Sequence, residues 1–533
     1  MMNTAASEAT VRGDFSGVTL AYGPGHVRFG RDGSDFTMEV FAGGRLVRRH
    51  KVTRTVGSLY MQYYIGRQVF GPEPPDHLTY TLESKLPFAY CYALKRWVPE
   101  PYLDSTVDAE QAYLDGSFYI DHPPMHNWNL SCMTCHNSYP YVARLWQQPD
   151  PSPSAIWQGG FPAADIKTTL PRLHQGRLEL EPGRTRAMDP SELVTFGISC
   201  ESCHFGGREH AVEGKKIRFV PTRSTIMSAE LSVRRPGTAE PVRSNRKDPY
   251  VVNSICSQCH NAGLPRYPNG GSMVNSSEAL DMAAGACASQ IKCTDCHNPH
   301  RKGPPTGSPD QPLQVAACVQ CHKKYAAAPA ALAHGRHPPS SGVSCLDCHM
   351  PRIVAGLDTM TKSHRISSPI DGPMLAAGAP NACNLCHLDR SITWTLDELG
   401  KGWGRTVELG DALRANYGGS FSTPVGEAWL RHPNAFVRLV AADAYTRSTL
   451  VKDPAPYVLT ALDDTHAFNR TLALISLQRI LGRPLETGEY DLTAPPEARK
   501  KQLKALTSSG ALSKELARHR GQPGDVRAAT SRP

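Results

Sequence analysis

The first 120 residues alternate apolar and polar side chains in short runs, which is the pattern of β-strands. Turn-forming stretches such as GPG, DGS and GPEPPD separate these runs. Residues 1–120 are therefore predicted to form a strand-rich N-terminal region. The runs predicted as strands are VTLAYG, FTMEVF, RLVRRHKVTRTV, LYMQYYI and HLTYTLE. The aromatic residues expected in the core of this sheet are Tyr60, Tyr63, Tyr64, Phe70, Tyr80, Phe88, Tyr90 and Tyr92.

The C-terminal part of the chain has a helical pattern instead. Good helix formers carry apolar stripes over residues 391–520, and an offset of 32 residues aligns AFVR at 435–438 with AFNR at 467–470. Helix pairs of this kind stack to bury a shared face in HEAT-type repeats. We expect a HEAT-like repeat domain over 391–520, acting as a docking surface, a scaffold or a structural cap. Residues 521–533 are expected to be a disordered tail.

Residues 121–390 have few periodic segments but hold nearly all the cysteines. Of the 16 cysteines, 14 lie in seven copies of C-x-x-C-H. The motif cysteines are Cys132, Cys135, Cys200, Cys203, Cys256, Cys259, Cys293, Cys296, Cys318, Cys321, Cys345, Cys348, Cys383 and Cys386, and the motif histidines are His136, His204, His260, His297, His322, His349 and His387. Cys91 and Cys287 are left over. We expect Cys91, in an apolar run, to be a buried free thiol, with a Cys91–Cys287 disulfide as the alternative.

The spacing of this motif has a chemical reason. Two thiols three positions apart can each form a thioether to one haem, and the adjacent histidine can bind the iron. A zinc ribbon needs four ligands and gives no reason for a histidine after every second cysteine, and neither does a disulfide framework. The motif therefore predicts seven covalently bound haem c groups within residues 121–390. The predicted fold is a mainly α multihaem cytochrome c with little regular secondary structure, in which crowded haems form the core.

Haem attachment predicts the compartment, because covalent ligation takes place outside the cytoplasmic membrane. We expect a periplasmic or otherwise extracytoplasmic protein. The N-terminus MMNTAASEATVRGDF lacks the basic start and apolar run of a secretory signal, so we expect either a mature chain or a start codon placed too late. No run of about 18 apolar residues occurs, so no membrane-spanning segment is predicted.

The formal net charge of +9 suggests an acidic partner until the predicted haems are counted. Seven haems add about 14 propionate charges and about seven ferric charges, which leaves the oxidised protein near +2. Arginine and lysine side chains are better explained as hydrogen-bonding partners of propionates. No polybasic run is present, and we expect no binding to nucleic acid.

Histidines outside the motifs are numerous enough to give every iron a second axial ligand. The candidates near the motifs are His122, His126, His174, His210, His300, His334, His337 and His364. A count of histidines leaves open whether every iron is six-coordinate.

The motif order resembles that of a known group. The stretches GISCESCHFGGREH, SICSQCH, CTDCHNPH, CVQCHKK, HPPSSGVSCLDCHMP, SHRI and NACNLCHLDRS are similar to multihaem c-type cytochromes related to hydroxylamine oxidoreductase, with pentahaem nitrite reductase and octahaem tetrathionate reductase. Members that join such a haem domain to TPR or HEAT repeats are the most similar. The resemblance implies bis-histidine ligation for most haems, with His210, His300, His337 and His364 as distal ligands. No motif is C-x-x-C-K, so the lysine-ligated catalytic haem of pentahaem nitrite reductases is not expected.

Three functions follow from these observations and stay open here. The first is an electron conduit between redox proteins or a membrane-bound donor and acceptor, through closely packed, mostly bis-histidine haems. The second is an oxidoreductase that acts on a small nitrogen or sulfur oxyanion at one five-coordinate haem. The third is an electron-transfer subunit built permanently into a larger respiratory or photosynthetic complex through the helical repeat. No catalytic residue is assigned from sequence.

Overall fold

The fold is described from a computed structural model. It describes residues 3–22, 25–100, 128, 132–138, 172–174, 177–181, 184–187, 193–204, 208–216, 232–233, 242–243, 249, 252–253, 256, 259–260, 265–287, 290–300, 311–407, 410–419, 421–508, 510 and 512–515. The chain divides into two compact units, residues 1–261 and 262–533.

The first unit begins with an antiparallel sheet, which confirms the strand-rich N-terminal region. Its strand order is β2-β3-β4-β5-β6-β8-β9, with β1 paired to β5 and β7 paired to β6. The strands are β1 Asn3–Ala5, β2 Val18–Tyr22, β3 Gly25–Asp32, β4 Asp35–Ala42, β5 Arg45–Val56, β6 Met61–Phe70, β7 Ser84–Lys85, β8 Phe88–Cys91 and β9 Arg96–Pro99.

Alternation along these strands builds one aromatic core. The rings of Phe29 and Trp97 stack with centroids 3.8 Å apart, and Phe15 packs edge-on against both. Tyr64 and Phe88 are buried in the same core, as predicted. Phe70 is instead 49% exposed, because it lies at the end of β6 beyond the packed part of the sheet.

One predicted strand is wrong. The run HLTYTLE forms a short helix, α1 Leu78–Thr81. The preceding residues explain the difference, because Pro74 begins a turn in which the His77 N–H donates to the Pro74 carbonyl and the Tyr80 N–H to the His77 carbonyl. Alternation over so few residues does not separate a strand from a single helical turn. Cys91 is buried in β8, as predicted, and Cys287 is half-buried.

A buried histidine makes the stability of this sheet depend on pH. His50 on β5 is 3% exposed, and burial lowers its pKa to about 4, with a further lowering by Arg48. The unfolded chain binds a proton on this ring below about pH 6.5, whereas the folded sheet resists it. We therefore expect the free energy of unfolding to fall by up to about 3 kcal/mol as the pH drops from 6.5 towards 4.

The variant His50→Gln tests this expectation. Urea midpoints followed by circular dichroism at pH 7 and pH 5 are expected to differ less in the variant than in the wild type, because glutamine does not titrate. If the urea midpoint falls equally between pH 7 and pH 5 in both proteins, the assignment of this pH dependence to His50 is contradicted.

Short elements make up the rest of the described part of the first unit. Two of them, β10 and β14, pair beside the first two motifs, and Ser138 and Ser202 hydroxyls lie 2.6 Å apart there. The elements are α2 Met133–His136, β10 Asn137–Ser138, β11 Arg172–His174, β12 Arg177–Glu181, β13 Arg184–Ala187, β14 Thr195–Phe196, α3 Arg208–Glu213, β15 Ser232–Val233 and β16 Val242–Arg243.

The second unit is mainly helical. Polar caps begin several helices: the Ser391 hydroxyl accepts from the Trp394 N–H at 3.2 Å, and the Asn434 side chain accepts from the Phe436 N–H at 2.9 Å. Its helices are α4 Glu278–Ala283, α5 Cys293–Cys296, α6 Gln311–Cys321, α7 Ala328–Gly335, α8 Cys345–His349, α9 Gly372–Ala376, α10 Ile392–Trp403, α11 Asp411–Tyr417, α12 Val425–Leu430, α13 Ala435–Arg447, α14 Ala455–Leu462, α15 Ala467–Leu481 and α16 Pro496–Ser508.

The repeated sequence of the C-terminal part coincides with α13 and α15. Both helices begin at the repeated AF dipeptide and pack against each other through buried apolar side chains. The assignment of these helices to the HEAT class stays a prediction. Within the described ranges, no helix is both long and apolar enough to cross a bilayer.

Two equivalent arginines of the repeat reach the same hairpin. The hairpin consists of β17 Arg352–Ala355 and β18 Met360–Lys362 and follows the sixth motif. The Arg447 guanidinium donates to the Thr359 hydroxyl at 2.7 Å, and the Arg479 guanidinium donates to the Asp358 carbonyl at 3.2 Å. The helical part of the second unit therefore binds directly to the segment that carries the motifs.

Candidate haem-binding sites

The described residues of the C-x-x-C-H motifs form single tight turns. In five of them the N–H of the histidine donates to the carbonyl oxygen of the first cysteine, four residues earlier, at 2.8–3.1 Å. One turn places residues three apart on the same face, so both thiols point the same way with the histidine beside them. These five bonds are His204 to Cys200, His260 to Cys256, His297 to Cys293, His322 to Cys318 and His387 to Cys383.

Acidic caps hold two of these turns in place. Asp295 and Asp347, each immediately before the second cysteine of its motif, accept from the backbone N–H of Lys292 and Ser344 at 2.9 Å. Such capping satisfies N–H groups that a short helix otherwise leaves open. The aspartate at the third position of the fourth and sixth motifs therefore stabilises the turn that presents the thiols.

The fourth to seventh motifs lie in one region of the second unit. Burial raises the pKa of the Cys318 thiol to about 11, and Cys345 and Cys296 of the neighbouring motifs raise it further. Burial likewise raises the pKa of Cys348 to about 11, with Cys383 of the seventh motif adding to the effect. Thiols of adjacent motifs are thus close enough to interact electrostatically.

Three motif histidines face a second histidine at nearly the same separation. The ring centroids of His297 and His364 are 6.1 Å apart, with 25° between the ring planes. For His349 and His334 the values are 6.0 Å and 4°. For His387 and His337 they are 6.4 Å and 37°.

This separation fits an iron between the rings. A histidine nitrogen lies about 2 Å from the metal it binds, so two imidazoles that share one metal have their centroids about 6 Å apart. Direct packing of two rings spans about 4.5–7 Å, and the three pairs lie in its upper part. The three pairs have the separation that proximal and distal ligands of the fourth, sixth and seventh motifs require.

Hydrogen bonds determine which nitrogen carries the proton in two of these imidazole rings. His349 Nδ1 lies 2.8 Å from the carbonyl oxygen of Ser367, and His337 Nδ1 lies 2.6 Å from that of Gly335. A carbonyl oxygen only accepts, so Nδ1 carries the proton and Nε2 keeps the lone pair that binds a metal.

Burial keeps other rings in the neutral form. It lowers the pKa of His136 to about 4, and it lowers the pKa of His387 with a further effect from His337. A neutral imidazole is the form that ligates iron. Among the described residues, the Nδ1 atom of His136 is buried and has no hydrogen-bond partner, which fits a ring ordered by a bond at its other nitrogen.

The segment from Cys293 to His349 has little core of its own. Among its described side chains, Leu346 is the buried apolar residue. A packed segment of this length needs a larger apolar body to exclude water. Haem groups attached to its three motifs fit that requirement, and the cysteine and histidine donor set fits haem c.

The other candidate distal ligands have different surroundings. His210 is exposed on α3, and its Nδ1 lies 2.7 Å from the Lys215 carbonyl oxygen, which leaves Nε2 available. His300 is exposed after the fourth motif, and its N–H donates to the Asn298 side chain at 3.0 Å. These contacts assign neither residue to a particular motif. His174 ends β11 with its side chain outside the described part, and His122 and His126 lie outside the described residues.

The sequence analysis does not identify two aromatic residues that pack against a motif histidine or a candidate distal ligand. The Trp394 ring packs on His387 with centroids 4.8 Å apart, and Tyr325 lies 4.5 Å from His334. Trp394 is seven residues after His387 and Tyr325 is three after His322. An aromatic residue at such a spacing after a motif is the signal that identifies them.

Comparison with known proteins agrees with this geometry. Residues 331–399 match the family model described as Cytochrome c552. A stretch of 214 residues, 40% of the chain, is 25% identical to the "Multiheme cytochrome MtrA" of Shewanella baltica (strain OS185). The chain spans 49% of that relative's length. No solved structure matches. These similarities support a multihaem c-type cytochrome.

The distal assignments make a direct prediction. Replacing His337 or His364 by alanine is expected to leave the haem count unchanged and to convert one iron per chain from low-spin to high-spin, because one strong axial ligand is lost. Low-temperature electron paramagnetic resonance of the ferric protein measures this change. Added imidazole is expected to restore the low-spin signal, and His432→Ala, outside the motifs, is the control. A variant with every iron still low-spin would refute the assignment of that histidine.

Proposed function

We propose that the chain is an extracytoplasmic heptahaem cytochrome c that conducts electrons between redox partners. When bound, each haem supplies an iron that gains and loses one electron at a potential set by its ligands and surroundings. The chain's own task is to hold these groups close together, to fix their ligands and to limit access of water.

The observation that carries the proposal is the set of three histidine pairs with centroids 6.0–6.4 Å apart. An iron with an imidazole on each side has no coordination position left for a substrate. Electron transfer needs no such position, whereas an oxidoreductase acting on an oxyanion does. The pairs therefore favour the conduit over the enzyme for the motifs that contain them.

The proximity of the motifs supports the same function. Cys318 of the fifth motif interacts with Cys296 of the fourth and Cys345 of the sixth, and Cys348 of the sixth interacts with Cys383 of the seventh. Groups attached to these thiols are neighbours, which is what stepwise electron transfer requires. The similarity to a protein named as a multihaem cytochrome agrees with this arrangement.

The helical part of the second unit is proposed to be the scaffold of this relay. The Ser448 hydroxyl, at the C-terminal end of α13, donates to the Cys386 carbonyl at 2.6 Å, and Arg447 and Arg479 bind the hairpin after the sixth motif. These contacts hold the sixth and seventh motifs against rigid helices. Rigid support keeps ligand geometry, and with it each potential, constant during electron transfer.

Location and partners follow from the same chemistry. Thioether formation to haem takes place outside the cytoplasmic membrane, so the mature protein is proposed to act there. Its partners are one-electron redox proteins or a membrane-bound donor or acceptor.

Low-temperature electron paramagnetic resonance of the oxidised, pure protein tests this function. The conduit predicts low-spin signals that account for all seven irons after allowance for magnetic coupling. A high-spin fraction near one seventh that changes on addition of nitrite, hydroxylamine or a sulfur oxyanion would contradict it. That result would identify an open iron and an oxidoreductase.

A further inference from the structure

Two candidate distal ligands lie three residues apart at the C-terminal end of one helix. The segment His334-Gly335-Arg336-His337, called the two-histidine loop below, comprises the last two residues of α7 and the two residues that follow it. Its first histidine faces His349 of the sixth motif and its last faces His387 of the seventh. The position of this single loop therefore sets a ligand for two different irons.

The two-histidine loop is tied to the C-terminal turn of α10. The Trp403 indole N–H donates to the His334 carbonyl at 2.7 Å, and the Arg336 guanidinium donates to the Gly402 carbonyl at 2.8 Å. The two-histidine loop and α10 thus each donate one hydrogen bond and accept one. Arg336 has a left-handed backbone with φ of 58°, and its N–H closes α7 by donating to the Leu332 carbonyl at 2.8 Å.

The other end of α10 contacts the proximal side of the seventh motif. Trp394, in the first turn of α10, packs on His387 at 4.8 Å, and Ser391 caps the helix directly after the motif. Nine residues separate Trp394 from Trp403, which is about 13 Å along a helix. One helix therefore joins the proximal histidine of the seventh motif to the loop that carries its distal partner.

Burial is only part of what holds Trp403 in place, because its side chain is 41% exposed. The indole N–H to the His334 carbonyl is the specific contact that it makes. Phenylalanine keeps the ring and removes that donor.

We propose that α10 is a strut that fixes the two-histidine loop, with Trp403 and Arg336 as positioning residues for two irons at once. This inference rests on the proposed haem ligation. Loss of either hydrogen bond is expected to loosen both distal histidines together, because they lie three residues apart on the same loop.

Carbon monoxide is the probe, since it binds ferrous haem once a distal ligand leaves. In the dithionite-reduced, full-length holoprotein, Trp403→Phe is expected to raise carbon monoxide binding at two irons per chain by roughly 2- to 10-fold, the effect of one lost hydrogen bond. In the ferric protein, the low-spin signals of the same two irons are expected to shift while the others stay unchanged.

A second variant and two controls isolate the cause. Arg336→Gly removes the bond to Gly402 but keeps the left-handed backbone, and it is expected to affect the same two irons. Trp97→Phe removes an equivalent indole bond, to the Asp14 carbonyl, in the N-terminal sheet. Lys401→Gln breaks an exposed ion pair with Glu398 on α10 itself. Both controls are expected to match the wild type in carbon monoxide binding.

The outcomes separate this inference from the proposed function. Seven low-spin haems in the wild type, with no change in either Trp403→Phe or Arg336→Gly, would overturn the strut and leave the conduit intact. A change at a single iron would also overturn it, since the loop would not couple two ligands. A wild type without covalent haem would overturn the proposed function itself.

Discussion

Replacing Cys345 and Cys348 together by alanine is expected to lower the covalently bound haem from seven groups per chain to six. Both thioethers of the sixth motif are removed, so no covalent tether remains there. The segment from Cys293 to His349 buries only Leu346 among its described apolar side chains, so its packing is expected to depend on the attached groups. We therefore expect a lower melting temperature as well as the loss of one haem.

The pyridine haemochrome spectrum and the intact mass measure this loss. Cys287→Ala is the matched control, because Cys287 is a half-buried thiol close enough to affect the pKa of Cys318 and yet lies outside every motif. It is expected to retain seven haems. A double variant that also retains seven would contradict the assignment of Cys345 and Cys348 as attachment points.

Replacing Arg470 by methionine is expected to lower the free energy of unfolding by about 1–3 kcal/mol, which is the cost of leaving a buried hydrogen-bonding group without its partner. Arg470 on α15 is fully buried, and its guanidinium donates to the carbonyl oxygens of Leu492, Asp464 and Thr465 at 2.8–3.0 Å. Methionine fills part of the space but leaves these acceptors without their donor.

Urea unfolding of the holoprotein, followed by circular dichroism, measures this effect. Arg431→Met is the control, because Arg431 is an exposed arginine that pairs with Glu427 at 3.3 Å, and such a pair contributes little. Both variants are expected to keep seven haems, which separates stability from haem attachment. An Arg470→Met protein as stable as Arg431→Met would contradict the structural role given to Arg470.

Sequence patterns predict the parts of the fold that local chemistry determines. Alternation locates β2, β4, β5 and β6, and the repeated AF dipeptide locates the start of α13 and α15. Alternation fails at Leu78–Thr81, where a proline-initiated turn leads into a helix. The pairing order of the strands is set by long-range packing, so no single stretch of sequence predicts it.

The candidate sites likewise contain residues that the sequence predicts and residues that only the structure brings together. The seven motifs are patterns of adjacent residues, so the sequence alone predicts their thiols as attachment points and their histidines as proximal ligands. The candidate distal ligands come from other segments: His364 lies 67 positions after His297, and His337 lies 50 before His387. Sequence spacing does not match such candidates to a motif, whereas the ring separations in the structure pair them with motif histidines.

The contacts that support the ligands are harder still to predict. Trp403 is separated from His334 by 69 positions, and its role depends on an indole N–H that meets one backbone carbonyl. Arg447 and Arg479 are visible as equivalent residues of a repeat, but the hairpin that both bind lies in a different part of the sequence. Such contacts follow from the packed structure alone.

The intact mass of the acid-denatured protein, purified from cells that attach haem c, tests the central claim most directly. Thioethers survive acid, whereas metal ions and non-covalently bound haem are lost. The account predicts the mass of the polypeptide plus seven haem groups. A mass equal to the polypeptide alone would contradict it, because the motifs would then serve another chemistry such as zinc binding.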